Sequence, residues 1–204
     1  MTEQVFIEEC KKIGIIPTEE QLSQLETLYN YMIEYNQNVN LTRITDKKEV
    51  YLKHYYDSLT IVKAINLNDI KTLCDVGTGA GFPGIILKIF FPDLKITLVD
   101  SLNKRIVYLN KVIEKLQLKD IETIHSRGEK LVEKYDVVVS RAVARIDKLL
   151  KICFSSVKDK GYLIAMKAHF DEEESYIPDN YKYDLYKFKL PFENSDRTLV
   201  KIEK

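Results

Sequence analysis

The sequence predicts a doubly wound α/β fold: a mostly parallel sheet with helices on both faces, behind a helical N-terminal extension. Three observations predict it. Residues 71–100, KTLCDVGTGAGFPGIILKIFFPDLKITLVD, read strand, glycine turn, helix, strand. From Ile70 onward, short apolar strands alternate with amphipathic helical stretches, as a parallel sheet demands. Two final stretches, Tyr183–Leu190 and Thr198–Ile202, alternate on either side of Asn194-Ser195 and read as a closing antiparallel pair. At 204 residues the chain suits a single core over residues 67–204 with an appended extension over residues 1–66.

The extension reads as helical throughout. Val5, Phe6 and Ile13 give a short apolar face before Gly14. Thr18 then opens a helix as N-cap, with Gln21 completing a capping box. Leu22, Leu25, Leu28, Met32 and Tyr35 repeat at helical spacing and form a core stripe. Asn36-Gln37-Asn38-Val39-Asn40 is rich in turn formers and is expected to end that helix. Asp46 caps a third helix reaching about Ala64, which carries Lys53, His54, Asp57 and Ser58. Taken alone, His54 reads first as a structural histidine.

In the core, Thr72–Val76 leads into Gly77, Gly79 and Gly81, and Pro83 suits the first turn of the helix that follows. A break at Pro92-Asp93 precedes a second strand closing on Asp100. Asn103–Gln117 is an amphipathic helix with Ile106, Leu109 and Val112 inward and Lys104, Arg105, Lys111 and Lys115 facing out. Ile121–His125 is a third strand, and Tyr135–Val139 a fourth that runs into Ser140-Arg141-Ala142. A helix is expected from Ile146 to about Val157, then a turn at Lys160-Gly161, a fifth strand Tyr162–Met166, and a solvated helix start at Asp171–Glu174.

Composition narrows the function. Hydrophobic residues make up 45 %, enough for a full core, and no run approaches the roughly 18 consecutive apolar residues of a membrane span. The first residues, MTEQVFIEECKK, are polar and acidic, unlike a signal peptide. Cys10, Cys74 and Cys153 lie in apolar surroundings without metal-like spacing, which points to buried reduced thiols, a cytoplasmic protein and no metal site. The formal net charge is zero, so any surface for nucleic acid must be local.

Gly79-Ala80-Gly81-Phe82-Pro83-Gly84 satisfies the dinucleotide pattern G-x-G-x-x-G, with Asp100 near the right distance for a ribose. A pyrophosphate, however, needs free backbone N–H groups and positive potential at the helix start. Pro83 removes one donor there, and Asp75 adds negative charge. S-adenosyl-L-methionine carries a sulfonium and an ammonium group instead, which favour a nearby carboxylate. The series Asp75-x-Gly77-x-Gly79-x-Gly81, with an acid ending the next strand, is the usual signature for that cofactor.

The end of the fourth strand narrows the reaction. Methylating an exocyclic base amine commonly uses an Asn/Asp-Pro-Pro-aromatic loop there, and the chain has no Pro-Pro. Methylating pyrimidine C5 requires a cysteine nucleophile. Here the position reads Ser-Arg-Ala-Val-Ala, and the nearest thiol, Cys153, lies well into the next helix. A nucleophile with its own lone pair remains, and guanine N7 is one.

Several segments carry a resemblance. Tyr35-Asn36 with Asn40-Leu41-Thr42, His54-x-x-Asp57-Ser58-Leu59, Asp75–Gly84, Leu98–Arg105, Ser140–Ala144 and Asp196-Arg197 together resemble the bacterial 16S rRNA guanine-N7 methyltransferases, the glucose-inhibited division protein B family. The likeness covers nearly the whole chain in order. It implies a Rossmann-like class I methyltransferase, whose doubly wound, mostly parallel seven-stranded sheet has an antiparallel C-terminal strand. It also implies action on the decoding-region loop of the small ribosomal subunit, as a monomer using S-adenosyl-L-methionine. On the family pattern, Asp75, Gly77, Gly79 and Phe82 surround the methionine part of the cofactor and Asp100 takes the ribose hydroxyls. Gly128 and Glu129 flank the adenine, and Arg141 lies between cofactor and base as the catalytic residue. Arg43, Lys53, His54, Lys167 and Arg197 are the expected RNA contacts. A small-molecule methyltransferase, or a non-catalytic ribosome-assembly factor with a degenerate pocket, are the alternatives.

Overall fold

Seven strands form one sheet in the order β3-β2-β1-β4-β5-β7-β6, in a computed structural model that describes all of residues 1–204. They are β1 (Thr72–Val76), β2 (Lys95–Asp100), β3 (Ile121–His125), β4 (Tyr135–Arg141), β5 (Val157–Lys167), β6 (Tyr183–Lys189) and β7 (Asp196–Glu203). β1 to β5 are parallel, and β7 runs antiparallel between β5 and β6. The order reverses between β1 and β4, which opens a crevice over their carboxyl ends.

Strand residues alternate between two cores, as the period-2 geometry of a strand requires. On one face Leu73, Ile96, Leu98, Val137, Val139 and Ile164 pack beneath α4 (Gly84–Phe90), α5 (Asn103–Lys115) and the extension. On the other, Cys74, Val76, Val99, Val138 and Leu163 pack beneath α6 (Ile146–Cys153), with Phe170 and Ile177. The extension consists of α1 (Glu3–Lys12), α2 (Glu19–Val39) and a helical rod over residues 47–63, α3. It shares its core with the sheet: Leu25, Leu28 and Met32 of the α2 stripe are buried in one cluster with Ile85, Leu109 and Leu98. The capping box at Thr18 and Gln21 and the Asp46 cap form as expected.

The middle of α3, Tyr51–Tyr56, winds as a π-helix. Such segments are rare and frequent at functional sites.

Five expectations are corrected. α2 continues through Asn36–Val39 and stops at Asn40, which adopts the left-handed conformation (φ 50°). Asn36 still makes the stop, from one turn inside: its Oδ1 accepts from the N–H groups of Leu41 and Thr42. Lys160-Gly161 is a bulge inside an unbroken β5, because the backbone groups of both residues pair with the terminal Lys204. α6 ends at Cys153, and Asp171–Glu174 forms turns with a short 3-10 segment. Finally, Arg105 of α5 turns back to Asp100 and is half-buried, whereas Lys111 and Lys115 lie exposed over the rings of Tyr35 and Tyr31.

Candidate active site

The glycine turn after β1 has φ +72° at Gly77, +62° at Gly79 and +97° at Gly81, a region that L side chains rarely adopt. The N–H groups of Gly77 and Thr78 donate to the Val99 carbonyl at 2.8 and 3.1 Å, tying the turn to β2. Asp75 braces it from beneath. Its Oδ2 accepts from the Thr78 hydroxyl at 2.7 Å and the Gly84 N–H at 2.8 Å. Burial pushes its carboxyl up to about 6 against the pull of those hydrogen bonds. Asp75 is fully buried and does not line the crevice. The expectation sets it against the cofactor; the structure sets it one layer below, under the turn.

Asp100 ends β2 at the crevice mouth. Its Oδ1 accepts from the Leu102 N–H at 2.9 Å, and its Oδ2 from the Gly79 N–H and from Arg105, both at 3.0 Å. A carboxylate offers about four lone-pair positions, so one remains for a ligand hydroxyl and a second where Arg105 can yield. The cleft above has a volume of about 440 Å³, within the usual range for a small-molecule site. Gly77, Gly79, Phe82, Asp100, Arg105 and Arg141 form part of its lining. A Cβ on Gly77 would come within 2.5 Å of Val143 Cγ2, and its φ of +72° strains any other residue there. With the Asp100 carboxylate beside a glycine cradle, and Pro83 standing where the helix start would otherwise offer an N–H, the residues present fit S-adenosyl-L-methionine.

α3 closes the cleft from the extension side. The His54 ring stacks on Phe82 with centroids 4.5 Å apart. His54 Nε2 lies 3.0 Å from Thr42 Oγ1, and Nδ1 lies 3.3 Å from Arg141 Nη2. A guanidinium can only donate, so Nδ1 is an acceptor and the ring proton sits on Nε2. Burial first, and the Arg141 charge second, push His54 down to about 3, so the ring is neutral. Arg141 also donates to the Lys53 carbonyl at 3.0 Å and to Asp57 Oδ2 at 3.4 Å. Burial lowers its guanidinium from the ordinary value, countered by Asp57 and Asp75, and it stays charged. Asp57 Oδ1 accepts from Arg197 Nε at 3.1 Å.

The other expected residues lie outside this constellation. Gly128 is buried, and a Cβ there would meet Ile152 and Val76 at 2.6 and 2.7 Å; Glu129 is exposed, and neither lines the cleft. Lys53 is held by Glu49 at 2.6 Å and Glu193 at 3.2 Å. Lys167 is 7 % exposed and points inward to the Ala144 carbonyl and to Glu173, so it cannot serve as an open RNA contact without giving up those partners. His54, likewise, is buried rather than presented to RNA. Arg43 is exposed. The sequence marks Asp57 and Arg105 within its motifs but gives neither a site role. The five-residue spacing of Arg105 from Asp100 could have paired those two, whereas Asp57 meets its arginines only through the fold.

Residues 21–190 match the family model described as rRNA small subunit methyltransferase G. The chain is 43 % identical to the ribosomal RNA small subunit methyltransferase G of Lysinibacillus sphaericus, over all of this chain and 91 % of the relative. It is 44 % identical to that of Bacillus subtilis, over 94 % of this chain and 85 % of the relative. Among solved structures, the YcgJ protein of Bacillus subtilis superposes with a TM-score of 0.62 at 11 % identity, over 74 % of this chain and 99 % of that one. A SAM-dependent methyltransferase of Aquifex aeolicus gives 0.58 at 17 % identity, over 80 % and 96 %. These two likenesses establish the fold alone. The sequence match runs through the glycine turn, Asp100, the α3 constellation and the end of β4, and it places the chain in the rRNA small subunit methyltransferase G family, a family of S-adenosyl-L-methionine-dependent methyltransferases.

Proposed function

We propose that this protein methylates N7 of a guanine in 16S rRNA, in the decoding-region loop of the small ribosomal subunit, as a cytoplasmic single chain. The observation that carries the reading is the α3–β4 constellation beside the cleft: Arg141 held by His54, Asp57 and the Lys53 carbonyl, with no free base or thiol among them. His54 has both ring nitrogens engaged and stays neutral. Cys74 and Cys153 are buried, and burial pushes the Cys153 thiol up to about 12. The site therefore suits a nucleophile that needs positioning and no deprotonation.

When bound, S-adenosyl-L-methionine supplies an electrophilic methyl on a sulfonium. Asp100 holds the ribose hydroxyls, and Gly77, Gly79 and Phe82 wall the methionine end. Asp75 keeps the turn in shape from beneath, and Gly128 and Glu129 stand on the segment after β3, on the side expected for the adenine. Arg141 reaches the guanine in its plane, at O6 or a neighbouring phosphate. Arg43 and Arg197 meet RNA phosphates, while Lys53 and Lys167 tie the surrounding loops. Ribosomal RNA as the target supports the cytoplasm.

The test is label transfer from S-adenosyl-L-methionine by purified protein to small ribosomal subunits, naked 16S rRNA and a metabolite extract. Label in the RNA, recovered as 7-methylguanosine, supports the reading. Label confined to metabolites would transfer the protein to small-molecule chemistry, and no label at all would make it an assembly factor.

A further inference from the structure

Asp57 joins the walls of two cavities. Its Oδ2 faces Arg141, which lines the cofactor cleft. Its Oδ1 faces Arg197 on β7, which lines a larger cavity of about 850 Å³ with His169, Lys187 and Thr198. The Asp57 side chain is 7 % exposed and the two arginine side chains 17 % and 18 %. All three charges are therefore largely withdrawn from solvent, where electrostatic interactions are stronger than in water. Asp57 is the acid shared between the two arginines, and it stands on the helix that also supplies His54 and the Lys53 carbonyl to Arg141.

We propose that Asp57 is a positioning residue for methyl transfer, which holds Arg141 and Arg197 in place and keeps their combined charge tolerable to a base that becomes cationic. This inference rests on the guanine-N7 reading and deepens it. In that reaction the N7 lone pair forms the new C–N bond as the C–S bond breaks. The bonding pair stays on sulfur, the positive charge passes from sulfur to the ring, and no proton moves. Two guanidiniums less one carboxylate leave the cluster a single positive charge; without Asp57 it carries two. His54 adds none, being neutral. Fixed charges aimed at where charge develops act strongly on a reaction rate, and here the carboxylate has the favourable sign. Its two oxygens also fix where the arginines point.

The signature differs from that of a residue that only supports the fold. Neutralising Asp57 adds net positive charge next to the RNA, so binding should hold or tighten while chemistry slows. The experiment uses the full chain with small ribosomal subunits lacking the modification, and compares wild type, Asp57→Asn and Asp57→Glu. Calorimetric titration with S-adenosyl-L-methionine counts folded sites, filter binding gives subunit affinity, and single-turnover label transfer gives the rate. For Asp57→Asn, the expected result is cofactor affinity within about twofold, subunit affinity unchanged or tighter, and a rate lowered at least about tenfold. Asp57→Glu keeps the charge but displaces it, and should fall between, with both affinities unchanged. A wild-type rate in Asp57→Asn, or a parallel loss of rate and both affinities, would overturn the proposal. If Asp57→Asn does not fold, Asp57→Glu decides by the same two criteria. The wild-type product reports on the underlying reading separately: no 7-methylguanosine would overturn the N7 assignment and this role with it, whereas normal product with an unaffected Asp57→Asn rate overturns the role alone.

Discussion

His54 lies nearly parallel to Phe82, 4.5 Å away and tilted by 17°, with its Nδ1 turned to the Arg141 guanidinium. The stack seals an imidazole between an aromatic face and a fixed cation, and burial together with the Arg141 charge disfavours its protonation. A titratable group has thus become part of the wall of the cleft.

That wall has a pH signature. His54 is held down to about 3 against an ordinary value of 6.5. Between those values the unfolded chain binds a proton that the folded one does not, so this contribution to stability is full above pH 6.5 and is lost as pH falls toward 3. Asp75 acts oppositely. Its carboxyl is raised to about 6 from 3.8, so the folded chain binds the extra proton and stability is lost as pH rises through that window. Each slope approaches about 1.4 kcal/mol per pH unit, and they oppose each other from about pH 4 to 6. Urea denaturation across that range should therefore separate two variants. Relative to wild type, His54→Gln should gain stability as pH falls, and Asp75→Asn should lose it. Parallel profiles for all three proteins would mean that neither group is perturbed as described.

Cofactor binding should depend on Asp100. Charge-assisted hydrogen bonds contribute roughly 1.5–3 kcal/mol each. Asp100→Ala should weaken S-adenosyl-L-methionine binding at least about tenfold, which is only about 1.4 kcal/mol. Part of that loss comes through the turn, because the Gly79 N–H and Arg105 lose their acceptor. Asp100→Asn retains one oxygen and should lose less. Calorimetric titration measures both, and unchanged affinity in Asp100→Ala would remove the residue from the pocket.

The expected cations should divide into two groups. Arg43 is exposed, and Arg197 keeps part of its guanidinium open to a cavity. Lys167 is bound inward to Glu173 and the Ala144 carbonyl, and Lys53 to two glutamates. Binding to RNA releases counterions, so the logarithm of affinity falls with the logarithm of salt by about 0.7–0.9 per phosphate contact. Arg43→Ala should reduce that slope by about one contact. Lys167→Met should leave it unchanged and lower the thermal midpoint instead, since Glu173 and the loop at Ala144 lose their partner. Salt titrations of subunit binding for the two variants check this, and a reduced slope in Lys167→Met would return that lysine to the RNA surface.

The β1–turn–α4–β2 unit was legible because its determinants are local: three glycines at positive φ, Pro83 at the helix start, and an acid closing the next strand. The capping box at Thr18 and the Asp46 cap were legible for the same reason. What escaped was set by distant partners. Lys160-Gly161 has turn chemistry, yet it stays within β5 because the terminal Lys204 pairs with it. Asp57 acquires its place only when β4 and β7 bring Arg141 and Arg197 to opposite oxygens, and no spacing in the chain spans that separation. The lysines follow the same rule: their charge is visible in the sequence and their ion-pair partners are not.

The chemistry itself makes the sharpest test. Guanine N7 carries no proton, so its attack on a sulfonium methyl is an in-line displacement that requires no general base. The groups that could have served as one are disposed accordingly: His54 is neutral with both nitrogens occupied, Asp57 lies between two guanidiniums, and Cys74 and Cys153 are buried. The single-turnover rate should therefore be flat from about pH 6 to pH 9 after correction for the folded fraction. Replacing Cys74 or Cys153 by Ala should change stability and leave that rate in place, and RNA carrying 5-fluoropyrimidines should not trap the protein covalently. The product ring is a cationic imidazolium, which borohydride reduces and aniline then cleaves, so the modified 16S rRNA should break at one guanosine. A rate that rises with a single ionisation across that range, or RNA resistant to the cleavage with the methyl on N1, N2 or a ribose oxygen, would require a base in the site. In that case His54, the only imidazole in the cleft lining, would have to give up either its Thr42 or its Arg141 contact to act as one.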